Sequence, residues 1–360
     1  YLYSDIKAYP FIRFKNSGLR GRMIPLTIGF NDDQTVKGKF CFKSGDIELG
    51  DRDAETISYV TFKIFNFVNF YSGGDSFHDN HWVESEHARK IVGGTTLEAG
   101  GWTIRLRALD GIDETMKLLR EQGYGLTHEG RIEKLDGTPF NGKLVKEVLD
   151  TLFYFLSFVR GFWVAPVDVE AFSTNGSPIW RDLTVRYCSE WKSVKSWFDE
   201  KNGQLMKEVF PGFLALIRDR VWGKRIKEVI YWYVLSNKSG DDLGLLSTQT
   251  ALELLSWTCM TQKRRRFSRK EFKGWQASKK IRELLNVIGI DCAIPDCLKK
   301  MSDTKKRFGF EDGPHAFTEI RNETTHPEHR NKGNFNSLKY EAWNLGQWYL
   351  EMVLLWLMNL

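Results

Sequence analysis

The hydrophobic pattern of this chain changes its period partway along, and this change constrains the fold more than any other feature. In the N-terminal half, apolar side chains alternate with polar ones, as at 60–64 and 102–108. A period of two is typical of strands with one buried face. Beyond residue 220, apolar residues recur at three- and four-residue intervals, which is typical of helices. The sequence therefore predicts an α+β protein with a mixed, β-rich N-terminal part and an all-helical C-terminal part.

Turn-forming residues indicate where the two parts meet. Asn202-Gly203 and Pro211-Gly212 punctuate the chain just before the helical pattern begins. A chain of 360 residues exceeds what one hydrophobic core usually organises. We therefore predict two domains, 1–205 and 206–360. In the first, further strands are predicted over 23–30 and 38–42 and helices over 113–121 and 143–160. In the second, five helices are predicted, over 224–236, 243–260, 269–288, 314–326 and 337–358.

Composition favours a soluble globular protein, since 42% of the residues are apolar and 27% are charged. Two apolar stretches, 149–167 and 342–360, are long enough to raise the alternative of a membrane span. The first, however, carries Arg160, and the second carries Glu351 together with several amides. Such groups are costly in lipid. We interpret both stretches as packed helices and expect no membrane partner. No typical signal peptide is visible, and the cytoplasmic location that we expect rests on the cysteines.

Neither a metal nor a cofactor is expected. The five cysteines are scattered and odd in number, which indicates a reducing compartment rather than a disulfide framework. Cys292 and Cys297 have no second pair that would complete a zinc site. The run 75–87 is rich in His, Asp and Glu but fits no known ligand spacing, so we favour a polar surface loop over a metal site. No phosphate-binding loop or dinucleotide fingerprint occurs.

The strongest functional signal is the hexad Arg-Asn-Glu-Thr-Thr-His at 321–326, which Pro327 follows. Ala316, Phe317 and Ile320 lie at helical spacing before it and predict one buried stripe. Opposite Ile320, a row of polar residues shares a narrow sector of the predicted helix. This row consists of His315, Glu319, Asn322 and His326.

The residue types of the hexad suit the cleavage of RNA. Pro327 disfavours the helical conformation for the residue before it, which puts His326 at or near a helix end. A helix C-terminus favours the imidazolium form, so His326 would be a proton donor near neutral pH. Arg321 stays charged and can bind two phosphate oxygens at once. Asn322 is one turn before His326 and could orient it.

The motif Arg-Asn-x-x-x-His-Pro, near the end of an all-helical domain, resembles the signature of HEPN domains. Segments such as 249–255 and Asp312-Gly-Pro314 are similar to bacterial HEPN proteins of the ApeA-like, anti-phage type. The resemblance implies a HEPN-like helical bundle and a metal-independent endoribonuclease that leaves a 2′,3′-cyclic phosphate. It implies that Arg321 and His326 are catalytic residues and that Asn322 supports them in the catalytic site.

The same resemblance implies partners. The substrate would be RNA, with tRNA among the candidates, and two hexads would face one another in a homodimer formed through the helical domain. The N-terminal domain would respond to a trigger, such as one derived from a phage. The sequence departs from the family in two respects. Thr325 is polar where an apolar residue is common, and Pro327 and Glu328 stand where one branch carries a modified tyrosine.

Other residues are candidates for supporting roles. Glu253, in an otherwise apolar helix, needs a partner. It could pair with Arg321 or orient His326, although an ordinary buried ion pair and a boundary position are equal alternatives. His315 and Glu319 of the polar row are further candidates. Between residues 261 and 307 there are 15 Lys and Arg against 5 Asp and Glu. Those predicted to contact RNA phosphates are Lys263, Arg264, Arg265, Arg266, Arg269 and Lys270.

Simpler interpretations stand beside these predictions. An Arg and a His at this spacing occur by chance in many proteins, and both can cap helix carbonyls. A basic segment can be a solvated loop. The main functional alternative is a non-catalytic HEPN module that binds a nucleotide or a partner protein and is coupled to a regulatory N-terminal domain.

Overall fold

The computed structural model of the chain describes residues 11–13, 20–27, 37–42, 48–71, 94–184, 186–325 and 335–359, the first three ranges and Thr325 by their backbone alone. It confirms the α+β class. Two antiparallel sheets occur in the N-terminal half. The smaller has the order β1-β2-β3 and consists of β1 (Phe11–Arg13), β2 (Arg20–Thr27) and β3 (Lys37–Phe42).

The larger sheet has seven antiparallel strands and forms the base of the N-terminal half. Its strands are β4 (Glu48–Gly50), β5 (Tyr59–Phe65), β6 (Gly94–Ala99), β7 (Trp102–Ala108), β8 (Leu126–Lys134), β9 (Pro166–Phe172) and β10 (Pro178–Asp182). Their order across the sheet is β4-β10-β9-β5-β8-β7-β6. Val60, Phe62 and Ile64 are buried while Thr61 and Lys63 are partly exposed, so the alternation seen in the sequence identifies the buried face correctly.

Two helices belong to this half, α1 (Ile112–Leu119) and α2 (Gly142–Arg160). The side chain of Asn141 accepts a hydrogen bond from the backbone N–H of Leu144 at 3.2 Å and caps the start of α2. Gly161, with φ of 75°, ends it. Every residue from Phe155 to Arg160 is buried, because α2 contacts β9 on one side and helices of the C-terminal half on the other. The apolar stretch that begins at Leu149 is thus a central packed helix.

The C-terminal half is helical throughout. Its helices are α3 (Gln204–Arg218), α4 (Trp222–Lys238), α5 (Gly240–Trp257), α6 (Arg269–Lys273), α7 (Ala277–Ile288), α8 (Lys299–Phe308), α9 (Gly313–Thr325) and α10 (Lys339–Leu357). A π-helical turn, Thr258–Lys263, continues α5. Among the described residues, none of these helices has the length and hydropathy that crossing a bilayer would require.

The five-helix prediction needs three corrections. First, α3 was not predicted, because Pro211 and Gly212 suggested a chain boundary and instead lie inside this helix. Second, α8 was missed, because its sequence is basic and of its residues only Met301 is buried. Third, the helix predicted over 269–288 is broken near Gly274 into α6 and α7.

One hydrophobic core runs through both halves of the chain. Phe155 of α2 packs on Phe210 and Phe213 of α3, with ring centroids 5.0 and 5.3 Å apart. Phe158 packs in the same way on Tyr233 of α4, at 5.6 Å. The two predicted domains therefore meet through aromatic side chains, with α2 between the sheet and the helices.

Candidate functional site

The site begins with α9, the helix that carries the hexad. Asp312 starts this helix by accepting a hydrogen bond from the backbone N–H of His315 at 2.8 Å. Ala316, Phe317 and Ile320 have no exposed surface, so the predicted buried stripe is confirmed. It packs against α5, α7 and α10. The approach to α10 is close, because a Cβ atom on Gly346 would lie 2.4 Å from the ring of Phe317.

Arg321 and Asn322 lie at the C-terminal end of α9 and contact each other. Nη1 of Arg321 donates a hydrogen bond to Oδ1 of Asn322 at 3.2 Å. Arg321 is half-buried, and desolvation lowers the pKa of its guanidinium while the Glu253 carboxylate raises it. An arginine so placed still carries its charge at neutral pH. It is a partly desolvated cation, which interacts more strongly with a phosphate than a fully solvated one does.

Glu253 belongs to a small polar network beside Arg321. Its two carboxylate oxygens accept hydrogen bonds from Nε2 of Gln249 at 2.9 Å and from Nζ of Lys280 at 3.1 Å. Lys280 lies on α7, so the network joins α5 to α7 near α9. Of the alternatives given for Glu253, the geometry favours the ordinary ion pair. Its charge nevertheless acts on Arg321.

Glu323, the third residue of the hexad, contacts the segment that precedes α10. Its carboxylate accepts a hydrogen bond from the backbone N–H of Phe335 at 3.1 Å. Phe335 is buried. His326 lies outside the described residues, and the distance from its imidazole to Arg321 stays a prediction.

His315 and Glu319 occupy different positions on α9. Nδ1 of His315 accepts a hydrogen bond from the backbone N–H of Glu311 at 3.1 Å, at the start of the helix. Six residues separate it from Arg321, which is about 9 Å along a helix axis. His315 is thus used in forming the helix start. Glu319 is half-buried and lies within one turn of Arg321 and Asn322.

The predicted RNA-contacting residues are all exposed, and one of them, Arg266, lies over the ring of Phe267, which belongs to an aromatic cluster. The rings of Phe267, Phe272 and Trp275 lie 4.7 to 6.0 Å from one another. We call residues 263–270 the basic loop. Lys263 donates to Asp219 at 2.7 Å and Arg264 lies over the ring of Trp356 at 5.2 Å, which fix the start of this loop against α3 and α10.

The basic loop and Arg321 are not adjacent. Gly346 marks the part of α10 that α9 contacts, whereas Trp356 marks the part that the basic loop contacts. Ten residues of helix separate these points, or about 15 Å. The predicted phosphate contacts thus lie at a distance from the hexad, and the cation that lies nearer to it is Lys280.

Sequence reasoning missed Gln249 and the role of Lys280. Gln249 is 4% exposed, and its Oε1 has no hydrogen-bond partner within the described part of the chain. A buried amide in an apolar helix is a signal that could have been noticed, because such a group needs partners. Which neighbours surround it depends on how the helices pack, which no local pattern reveals.

The structure offers no metal site in the residues it describes. Cys188, Cys259, Cys292 and Cys297 are all free thiols. Burial raises the pKa of the Cys292 thiol to about 11, so it is protonated at neutral pH. The run 75–87, which carries the minor metal alternative, lies outside the described residues.

Known proteins resemble this chain along most of its length. A family model described as the YopA central domain matches residues 52–194, and one described as the YopA C-terminal domain matches residues 219–360. The SPbeta prophage-derived uncharacterized protein YopA of Bacillus subtilis (strain 168) is 29% identical over 309 residues, which cover 84% of this chain and 67% of that protein. No solved structure is a significant match.

Proposed function

We propose that this protein is a metal-independent endoribonuclease of HEPN type. The observation that supports it most is the contact between Arg321 and Asn322 at the C-terminal end of α9, inside a hexad that continues to His326. Arg321 is partly desolvated at the end of an otherwise well-packed helix, and the Glu253 carboxylate acts on its charge. The guanidinium has a clear use if a phosphate binds there.

In the proposed reaction, the ribose 2′-hydroxyl attacks the adjacent phosphorus and the bond to the 5′-oxygen breaks. The 2′-hydroxyl loses its proton to water, and His326 donates a proton to the leaving 5′-oxygen and regains one from solvent. Arg321 binds the phosphate and stabilises the charge of the phosphorane. Asn322 holds the Arg321 guanidinium in place and orients the imidazole. The products are a 2′,3′-cyclic phosphate and a 5′-hydroxyl.

The surroundings of Arg321 suit an anionic substrate. Lys280 adds a second cation near the guanidinium, and it is itself oriented by Glu253. The basic loop lies further away, so in this proposal it binds the RNA backbone beside the cleaved linkage. The rings of Phe267 and Trp275 offer surfaces on which unpaired bases can stack.

We propose that this activity occurs in the cytoplasm and that the active form is a homodimer formed through the helical half. One α9 presents one hexad, and two hexads facing each other would enclose a cleft for a single RNA strand. The relative in Bacillus subtilis is named as prophage-derived. We therefore propose that the cleavage acts in the conflict between bacteria and phages.

The test is cleavage of a labelled RNA by the purified protein in excess EDTA. We expect the wild-type protein to cut, and Arg321→Ala and His326→Ala to lose about a hundredfold or more in rate. A substrate with a single 2′-deoxyribose at the cut site should resist cleavage. Lys117→Ala, on the exposed surface of α1, is the matched control and should cut normally.

Three outcomes would contradict the proposal. They are normal cutting by His326→Ala, cleavage that requires a metal ion, and cleavage of the deoxy-substituted strand. RNA binding without turnover, lost in Arg321→Ala, would instead favour the non-catalytic binding module.

A further inference from the structure

A large cavity lies on the side of α10 that faces away from α9. Its volume is about 1130 Å³, and its walls are α10, the end of α2 and the segment 194–201. Along α10, the residues that line it recur at helical spacing, namely Tyr340, Asn344, Gln347 and Glu351. The part of α10 that contacts α9 presents Gly346 and Tyr349 instead. The cavity is therefore separate from the hexad.

Four cations line this cavity: Arg160, Lys195, Lys201 and Lys300. Considering only described residues, none of the four is within ion-pair distance of a carboxylate. Arg160 is buried and donates to the backbone oxygens of Asn66 and Lys192. Lys195 donates to the hydroxyl of Tyr340 at 2.9 Å. Lys201 and Lys300 are exposed at the mouth.

Most of the carboxylates in the cavity wall already have other roles. Glu341 accepts hydrogen bonds from the backbone N–H groups of Lys300 and Met301, at the start of α8. Asp199 accepts one from the backbone N–H of Lys201 at 2.9 Å. Glu351 accepts one from the hydroxyl of Tyr233 at 2.6 Å, and its burial favours the neutral form. Glu200 acts electrostatically on Arg160, and with Glu351 neutral the four cations face three ionised carboxylates, so the wall then carries a small positive charge that suits an anion.

The cavity also presents aromatic rings and an unused acceptor. Trp343 is held in place because its Nε1 donates to Oγ of Ser236 at 2.8 Å, and Trp348 is 40% exposed. Gln347 is 8% exposed, and its Nε2 donates to Ser236 and Asn237 at 2.9 Å. Its Oε1 has no donor in the part of the chain that the structure describes. The cavity wall thus contains rigid rings, a buried acceptor and unpaired cations.

We propose that this cavity binds a nucleoside phosphate. The base stacks against Trp343 or Trp348, and an amino group or ring N–H of the base donates to Oε1 of Gln347. The phosphates are bound by Lys201 and Lys300 at the mouth. A bare anion would leave the rings and Gln347 without a function, and an apolar ligand would leave the cations without one. This inference does not depend on the ribonuclease activity.

The experiment is isothermal titration calorimetry, in which the full chain is titrated with ATP, GTP, CTP and UTP, with the four nucleosides, and with inorganic phosphate. We expect at least one nucleotide to bind, and its nucleoside and inorganic phosphate to bind about tenfold more weakly or worse. The double variant Lys201→Ala/Lys300→Ala should lose about tenfold or more in nucleotide affinity. Gln347→Leu should lower the affinity for the nucleotide and leave the affinity for inorganic phosphate unchanged. Lys117→Ala should bind as the wild type does.

Tryptophan fluorescence gives a second readout. Nucleotide binding should quench the emission, and Trp348→Phe should lose part of that quenching. The inference is overturned if no nucleotide binds at millimolar concentration. It is also overturned if the double lysine variant, with an unchanged melting temperature, binds as tightly as the wild type. Inorganic phosphate that binds as tightly as the best nucleotide would indicate a simple anion site and would overturn it as well.

Discussion

At the scale of single residues, His128 is the most unusual side chain of the core. It has no exposed surface, and neither ring nitrogen has a hydrogen-bond partner among the described residues. The ring stacks on Phe70 at 5.5 Å and meets the edge of Phe67 at 5.3 Å. Burial lowers its pKa to about 3, so His128 is neutral and behaves as an aromatic core residue.

This lowered pKa predicts a loss of stability in mild acid. Between pH 6.5 and 3 the unfolded chain binds a proton at His128 that the folded chain does not bind. Stability is therefore fully present above pH 6.5 and falls as the pH falls, by about 1.4 kcal/mol per pH unit. Between pH 7.5 and 5.5, we expect the free energy of unfolding of the His128→Phe variant to fall by about 1 kcal/mol less than that of the wild type. Urea denaturation at both pH values measures this difference. Equal losses in the two proteins would contradict this account.

The raised pKa of Glu351 predicts the opposite pH dependence of stability. Burial raises its pKa to about 7, although the Tyr233 hydroxyl acts against this. Because the pKa of Glu351 is higher in the folded protein than in the unfolded chain, protonation of this carboxyl stabilises the fold. This stabilisation is fully present below pH 4.5 and is lost as the pH rises through 7. Glu351→Gln keeps an acceptor for Tyr233 but cannot ionise. We expect the free energy of unfolding of the variant, relative to that of the wild type, to be about 2 kcal/mol higher at pH 8 than at pH 5. Chemical denaturation at both pH values measures this change, and a difference between the two proteins that is the same at both would argue against it.

At the scale of secondary-structure elements, α3 depends on a residue that favours turns elsewhere. A Cβ atom on Gly212 would lie 2.0 Å from the carbonyl oxygen of Met358, so the end of α10 crosses α3 at this glycine. Pro211, one residue earlier, removes a helical hydrogen bond. The helix tolerates the proline because α2, α4, α10 and β6 pack around it.

This crossing makes Gly212 sensitive to substitution. We expect Gly212→Ala to destabilise the protein by about 2 to 4 kcal/mol, since two backbone segments must move apart. Gly274→Ala is the matched control. Its Cβ would meet the nearest atom at an ordinary 3.6 Å, and its effect should stay within about 0.5 kcal/mol. Thermal denaturation of both variants measures the difference. Similar melting temperatures for the two would show that α10 does not approach α3 as closely as described.

At the scale of the whole molecule, the sheet and the helices share one core. Phe155 and Phe158 of α2 contact α3 and α4, and α3 also packs against β6. Separating the two halves would expose these aromatic faces to water. At about 25 cal/mol per Å² of apolar surface, such exposure is strongly unfavourable.

We therefore expect the full chain to unfold in one cooperative transition. Far-ultraviolet circular dichroism reports mainly the helices, whereas fluorescence reports tryptophans in both halves, such as Trp180 and Trp343. The two signals should give the same urea midpoint. Two separate transitions would mean that the halves fold independently in spite of the shared interface.

The sequence alone was sufficient wherever one segment determines its own environment. The alternation at 102–108 predicted β7 with its bounds, and the spacing of Ala316, Phe317 and Ile320 predicted the buried face of α9. The hexad identified Arg321 and Asn322 as candidates, and the roles predicted for them stay predictions. These features are local, because the periodicity of a strand or helix decides which of its side chains point the same way.

Only the tertiary structure decided which separate segments meet. Pro211 and Gly212 suggest a boundary until the end of α10 is seen to cross α3 there, and Lys280 has no special pattern until α7 packs against Glu253 of α5. The cavity beside α10 combines residues from distant parts of the chain. Contacts of this kind arise from packing between elements, for which the energy is spread over many side chains, and no short stretch of sequence encodes them.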